Sequence, residues 1–458
     1  MAIAASGQQS ARQSKTTLPL YALLIIAGLV VAALAWGFSE TPKAEFDPLD
    51  ASIKMAYGPR NFSEAYSKAN NVVLLGQERV RRAPDQWAYQ ESRALSAFVR
   101  AQLTGSFDDY AAATAAIDIA MAEAPKSAGP ALSNAVINLS VHRNARAAAA
   151  LSIMDGFVVP PDPADTAEAA ALRGDIAFYN GQYAAALRLY KKAAVTSGGT
   201  RQTFRLANWY KHLGQPDRAA SIFRGGASVE TGRTPQLFST YLLQLGSIAL
   251  MDGRWSEAER YFARANAVFP GYWLAQAHLA QMLAVRGDMA GAKDLYLDIL
   301  SKQSVPEVMD ALASLYRSQG QAAEAREWAD GAAAIWNRRL QLLPEAAYGH
   351  AVEHELALGD PARALMFARK DYAQRPFGET ATMLGWALLA NNKAEEARAV
   401  LEGVNATGWT SASTHAALAE AYALLGRGKA SDAERDAATA LNPKIFDPAA
   451  SLIWFGHH

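Results

Sequence analysis

Between Leu245 and Pro270 the chain reads LGSIALMDGRWSEAERYFARANAVFP, and the spacing of its small and aromatic residues recurs along the sequence. Counted from Gly253, Gly246 lies seven before, Ala258 five after, Phe262 nine after, Ala265 twelve after and Pro270 seventeen after. The frame repeats on Gly181, Gly214, Gly287, Gly320 and Gly359, and on Asn392, which stands where the glycine is expected. The references are 33, 39, 34, 33, 39 and 33 residues apart, and all seven frames keep alanine five residues on. Each unit holds two helix-length stripes, with Leu242, Leu245 and Ala249 on one and Ala258, Tyr261, Phe262 and Ala265 on the other. Small residues such as Gly246 and Ala258 belong where two helix axes come closest, because a larger side chain there strains the core. Gly253 suits the left-handed end of the first helix, and Pro270 closes the unit. One unit cannot bury both its faces, so its neighbours must stack on it.

A period near 34 residues with this order of small, glycine, alanine and aromatic positions resembles the tetratricopeptide repeat. The resemblance implies an all-α fold, a right-handed α-solenoid of helix-turn-helix units over residues 167–445. Gly426, with Leu418, Ala419 and Tyr422 before it, starts a further unit whose frame slips at GRGKASDAE. Residues 86–154 read as degenerate repeats: a unit around Gly105, then Leu132–Met154, which fits a helical pair poorly. Residues 155–166, DGFVVPPDPADT, carry three prolines and are the expected kink or boundary. Residues 39–85 are expected to be a linker and leading helix. The tail, 446–458, is partly apolar and is expected to cover the end of the last helix pair.

Leu18–Phe38, LPLYALLIIAGLVVAALAWGF, is uncharged and long enough to cross a bilayer as a helix. Arg12 and Lys15 precede it in a tail, 1–17, without acidic residues, while Glu40, Glu45, Asp47 and Asp50 follow. Positive-inside logic therefore puts 1–17 in the cytoplasm and the repeats on the other side, the periplasm if the host is a Gram-negative bacterium with this span in its inner membrane. A cleaved signal with its site at Ala33–Ala35 is the alternative, but the apolar run exceeds the usual h-region. Gly28 and Ala32 form a small-xxx-small pair that would let two spans approach, one route to an oligomer.

Lys plus Arg and Asp plus Glu balance at 44 each, so no bulk field draws the chain to nucleic acid. The absence of cysteine excludes disulfides, thiolate metal sites and cysteine nucleophiles. No phosphate-binding, dinucleotide or serine-hydrolase motif is present, and no cofactor is expected. HAVEH, His350–His354, has the order of the inverzincin zinc motif, with His350 and His354 one turn apart as ligands and Glu353 as base. These residues already belong to the first helix of the Gly359 unit, and no third ligand is visible, so a zinc-dependent hydrolase is the alternative to a scaffold. His142, His212, His278 and His415 are scattered without ligand spacing.

Function is therefore expected on a surface. The repeat resemblance implies a concave groove lined by first helices that holds a peptide or helix of a protein partner. Mapped onto this chain, the groove candidates are Asp175, Tyr179, Asn208, Lys211, His212, Gln281, Ser314 and Arg317. Asn208 with Lys211 is similar to the polar pairs that hold a C-terminal carboxylate in some family members, although Phe204 stands where those members have lysine. A membrane-anchored adaptor in envelope assembly, polysaccharide export or secretion is the expectation.

Overall fold

A computed structural model describes residues 46–50, 57–125, 128–197, 199–230 and 234–455. The chain divides into two units, Met1–Asp47 and Pro48–His458, and the second holds the helical array. The expected span, 18–38, and the tail before it lie outside the described residues. Among the described residues no helix is long and apolar enough to cross a membrane.

Among the described residues a leading helix, α1 (Phe62–Arg82), is followed by ten helical hairpins. They are α2 (Trp87–Thr104) with α3 (Phe107–Glu123), α4 (Ala131–Ser140) with α5 (Asn144–Met154), α6 (Pro163–Tyr179) with α7 (Tyr183–Thr196), and α8 (Thr200–His212) with α9 (Pro216–Glu230). Next come α10 (Pro235–Met251) with α11 (Trp255–Val268), α12 (Trp273–Val285) with α13 (Met289–Lys302), and α14 (Pro306–Ser318) with α15 (Ala322–Leu342). The series ends with α16 (Pro344–Ala357) and α17 (Pro361–Gln374), α18 (Gly378–Ala390) and α19 (Ala394–Asn405), and α20 (Ala412–Leu424) and α21 (Gly428–Leu441). A 3-10 turn, Pro448–Leu452, follows.

The frame read in the sequence is the packing code of each hairpin. A methyl group on Gly246 would stand 2.4 Å from Phe262 Cε1, and one on Gly174 would stand 2.6 Å from Tyr190 Cε1. In these hairpins the residue seven before the turn touches the residue nine after it, and a missing side chain lets the helices meet; alanine or valine fills that position in other frames. The alanine five past the turn is buried in all seven frames, from Ala186 to Ala397. At the turn, Gly253 takes φ 74°, and Arg254 N–H donates to the Ala249 carbonyl at 2.8 Å, closing orphan carbonyls of α10 in a Schellman arrangement.

Three expectations need correction. Leu132–Met154 forms a complete hairpin whose turn residue is His142 at φ 63°, with Ala135 and Ala147 buried at the expected offsets. The last unit does not slip: Ser431 takes the alanine position five past Gly426, where it is buried and its hydroxyl donates to the Ala419 carbonyl at 2.8 Å. The described part of the tail does not stop at the end of the last pair: Phe446 lies against Arg435 of α21, and Leu452 to Phe455 go on to α12 and α14. Gly359 also departs from the other turns. It is absent from the left-handed set, and a methyl group there would meet Glu355 Oε2 at 2.3 Å. The proline-rich stretch lengthens one connection without breaking the core, since Ala131, Leu139 and Leu151 share a cluster with Ala169 and Leu172 beyond it.

The solenoid winds until its later loops rest on its earlier turns. Phe62 N–H donates to the Pro270 carbonyl at 3.0 Å. His142 Nδ1 lies 3.2 Å from the Glu345 carbonyl across 203 residues, and Gly378 N–H donates to Tyr183 Oη at 2.9 Å across 195. Those separations are roughly six repeat periods of ~34 residues. The turn glycines mark the stacking edge. A methyl group on Gly181 would meet the Pro376 carbonyl at 2.9 Å and one on Gly253 would meet Asn442 Oδ1 at 2.5 Å, whereas Gly287, Gly320 and Gly426 have nothing within 4 Å.

Candidate partner-binding face

First helices touch their successors in two runs, α2, α4, α6 and α8, then α12, α14, α16, α18 and α20, each packed against the second helix of its own hairpin. The eight groove candidates lie on these first helices. Asp175 is tied into the array. It accepts from Tyr190 Oη at 2.9 Å and from Arg205 Nε at 2.8 Å, while Arg205 also reaches Glu168 at 2.9 Å. Burial pushes the Asp175 carboxyl up to about 6, against the pull of Arg205 and Tyr190. This ladder joins α6 to α8.

Tyr179 and His212 face the contact between winding turns. Tyr179 meets Phe377 edge-on at 5.2 Å, and His212 stacks on Trp409 at 4.8 Å with 15° between planes. Burial, then the neighbouring Lys211 charge, hold His212 well below the usual histidine range. Asn208 Oδ1 is buried and lacks a hydrogen-bond partner among the described residues. Lys211 is 7% exposed, with Nζ 3.5 Å from Gln244 Oε1. Burial pulls its ammonium down to about 8, partly opposed by Glu379. A lowered lysine pKa means that charging opposes folding, fully below about 8 and progressively less toward its ordinary ~10.4. Lys211→Met is therefore expected to raise stability at pH 7 by an amount on the order of 2 kcal/mol. The gain should fade between about pH 8 and pH ~10.4, as read by denaturant midpoints across pH. No such pH dependence would mean that the lysine is hydrated.

A polar cavity of about 210 Å³ lies between the winding turns, lined by His142, Tyr179, His350, Glu353, Asp371 and Arg375 among others. Arg375 is committed to Asp371, with contacts of 2.8 to 3.0 Å. Burial works against charge on His350, but the Glu353 hydrogen bond and carboxylate, with Glu307, carry it above its usual range. His350 stacks on Trp336 at 5.6 Å. His354 turns elsewhere: its Nδ1 lies 2.7 Å from Asp310 Oδ1, and Asp310 also accepts from Trp336 Nε1. The HAVEH histidines thus serve two separate contacts. Among the described residues no group of three ligand-type side chains is arranged to hold a metal ion.

Gln281 is wholly buried, and the chain's own tail lies against it. Its Oε1 accepts from Trp454 N–H at 3.1 Å and Phe455 N–H at 3.0 Å, while Nε2 meets His278 Nδ1 at 3.1 Å. Ser314 is buried, and its Oγ lacks a hydrogen-bond partner among the described residues. Arg317 is exposed, and its guanidinium caps the Ala357 carbonyl at the end of α16. The candidates are thus not one open groove. Asp175, Tyr179, Lys211 and His212 gather near the stacking contact, and Gln281 lies under the tail. Sequence reasoning missed Arg205, Trp409, Asp310 and the tail residues as partners. The apolar LIWF at 452–455 was the one signal that pointed to the last of these.

Residues 307–342, nearly all of α14 and α15, match the family described as tetratricopeptide repeat. No curated protein matches the chain. Among solved structures it is similar to MamA, at 20% identity and TM-score 0.30, over 37% of this chain and 96% of that one. A tetratricopeptide repeat protein from Parabacteroides merdae ATCC 43184 gives 16% identity and TM-score 0.33, over 56% and 98%. The Cut9–Hcn1 hetero-tetramer of APC/C gives 14% and 0.40, over 95% and 82%. The described residues are an all-α helical repeat solenoid that includes a tetratricopeptide repeat.

Proposed function

We propose that this chain is a non-catalytic scaffold that binds extended segments of protein partners on the lining of its first helices. The observation that supports this reading best is the tail itself. The tail already lies across α12 and α14 as a 3-10 turn followed by a short extended end, and Gln281 holds that end through its backbone. Gripping main chain in this way is how peptide grooves gain affinity. The apolar run 18–38, with basic residues before it and acidic residues after it, supports anchoring in a bacterial inner membrane with the repeats in the periplasm. Envelope assembly, polysaccharide export and secretion are the settings that such an anchored adaptor serves.

A photo-crosslinker at Arg317, on first helix α14, is expected to capture discrete proteins from native membranes. One at Glu327, on second helix α15, is expected not to. Equal capture from both positions would overturn the inner-face reading. A reporter at the C-terminus that is active in the cytoplasm would overturn the orientation.

A further inference from the structure

We infer that residues 448–455 are an internal ligand: they occupy a recognition site on α12 and α14 that a partner segment of the same chemistry must take from them. That segment would end a short turn on an aliphatic residue and run on extended to a large aromatic one three positions later. The inference rests on reading the first-helix lining as a surface for extended segments.

The groups that grip the tail are held by side chains of the array itself. Gln281 is wholly buried, and its Nε2 is fixed against His278 Nδ1 at 3.1 Å, which aims Oε1 at the segment. His278 in turn stacks on Phe262 at 4.2 Å with 18° between planes. The carbonyl so aimed takes two consecutive main-chain N–H groups, from Trp454 and Phe455. A contact to backbone alone does not care which chain supplies it. Specificity comes from two apolar anchors. Phe455 is wholly buried and meets His278 edge-on at 5.8 Å, and Leu452 shares a cluster with Val308 and Leu312 of α14.

The tail is also separable from what holds it. Ile453 is extended at φ −90° and ψ 111°, and the 3-10 turn before it is capped by Asp447 of the same segment. The hairpins beneath close without it: Asp288 N–H donates to the Leu283 carbonyl at 2.9 Å and Gln321 N–H to the Tyr316 carbonyl at 3.0 Å. Leaving the site exposes apolar anchors and one amide carbonyl, which an incoming segment of like chemistry covers again.

The test uses the full chain in detergent and a fluorophore-labelled peptide of residues 446–455, FDPAASLIWF. Weakening the tail with Leu452→Ala and Phe455→Ala should tighten peptide binding by at least about tenfold over the unaltered protein. Adding Gln281→Leu should remove that gain. In the unaltered protein, excess peptide should accelerate deuterium exchange at the Trp454 and Phe455 amides of the chain. A folded Leu452→Ala/Phe455→Ala protein that ignores the peptide overturns the inference, as does peptide binding indifferent to Gln281→Leu. Tail amides that stay protected under excess peptide overturn it without needing any variant to fold, and a dimer that swaps tails but excludes the peptide overturns it too. If peptide displaces the tail while crosslinking at Arg317 captures nothing, the scaffold reading fails alone. If partners are captured equally with and without the tail substitutions, only the internal-ligand inference fails.

Discussion

Trp409→Ala is expected to cost about 3–5 kcal/mol and to loosen the stacking of the winding turns. Trp409 is 4% exposed, and its neighbours come from both turns: His212 stacked at 4.8 Å, Tyr183 at 6.0 Å and Phe377 edge-on at 5.9 Å. Gly378 makes the fit close, because a methyl group there would stand 1.8 Å from Trp409 Cδ2. Truncation leaves a void between loops that are far apart in sequence and cannot collapse locally. The loss should appear as a lower denaturant midpoint, faster deuterium exchange over residues 178–213 and 376–410, and a larger radius of gyration in solution scattering. The indole Nε1 is buried without a hydrogen-bond partner among the described residues. Trp409→Phe therefore keeps an aromatic ring while removing a desolvated N–H, and is expected to cost markedly less than alanine. An alanine variant with unaltered exchange in both segments would show that the clasp contributes nothing.

Arg205→Ala is expected to cost a similar amount, about 3–5 kcal/mol, for an electrostatic reason. Arg205 is the shared cation of Glu168 and Asp175, whose side chains are 10% and 15% exposed. Removing it leaves two carboxylates close together in a poorly hydrated site. Asp175, already pushed up to about 6, then loses its main stabilising charge and rises further. A raised carboxyl pKa favours the fold below its unfolded value near ~3.9 and loses that contribution as pH climbs through the folded value. The variant's deficit should therefore be largest above pH 6 and shrink toward pH 4, as read by denaturant midpoints at each pH. Arg205→Lys keeps the charge without the forked donors and should fall between the unaltered protein and the alanine variant. A deficit that does not vary with pH would place the loss in packing.

Much of the hairpin architecture was legible because close helix packing leaves little choice of residue. Gly246 against Phe262 and Ala258 in the hairpin core can be read without knowing any neighbour. The units that escaped reading are those where another residue solves the same problem. His142 adopts the left-handed turn, with its ring held by the Glu345 carbonyl 203 residues later, and Ser431 replaces alanine by donating to Ala419. For the candidate face, hairpin periodicity placed the named residues on first helices but did not give the side chains they contact. Lys211 answers to Gln244 in the next unit, whereas the Trp409 beside His212 and the tail over Gln281 depend on how far the solenoid turns in each unit. That angle comes from many small packing differences, and no local motif carries it.

The stacked winding also bears on how the chain is made. An open repeat array can consolidate unit by unit as it leaves the ribosome, since each piece needs only its neighbour. Here Tyr183 must wait for Gly378, 195 residues downstream, which at ordinary elongation rates is roughly 10–40 s. During that interval Phe178, Tyr183 and His212 lack their aromatic cover. A nascent chain of this kind has reason to be shielded by a holdase until its second half is delivered.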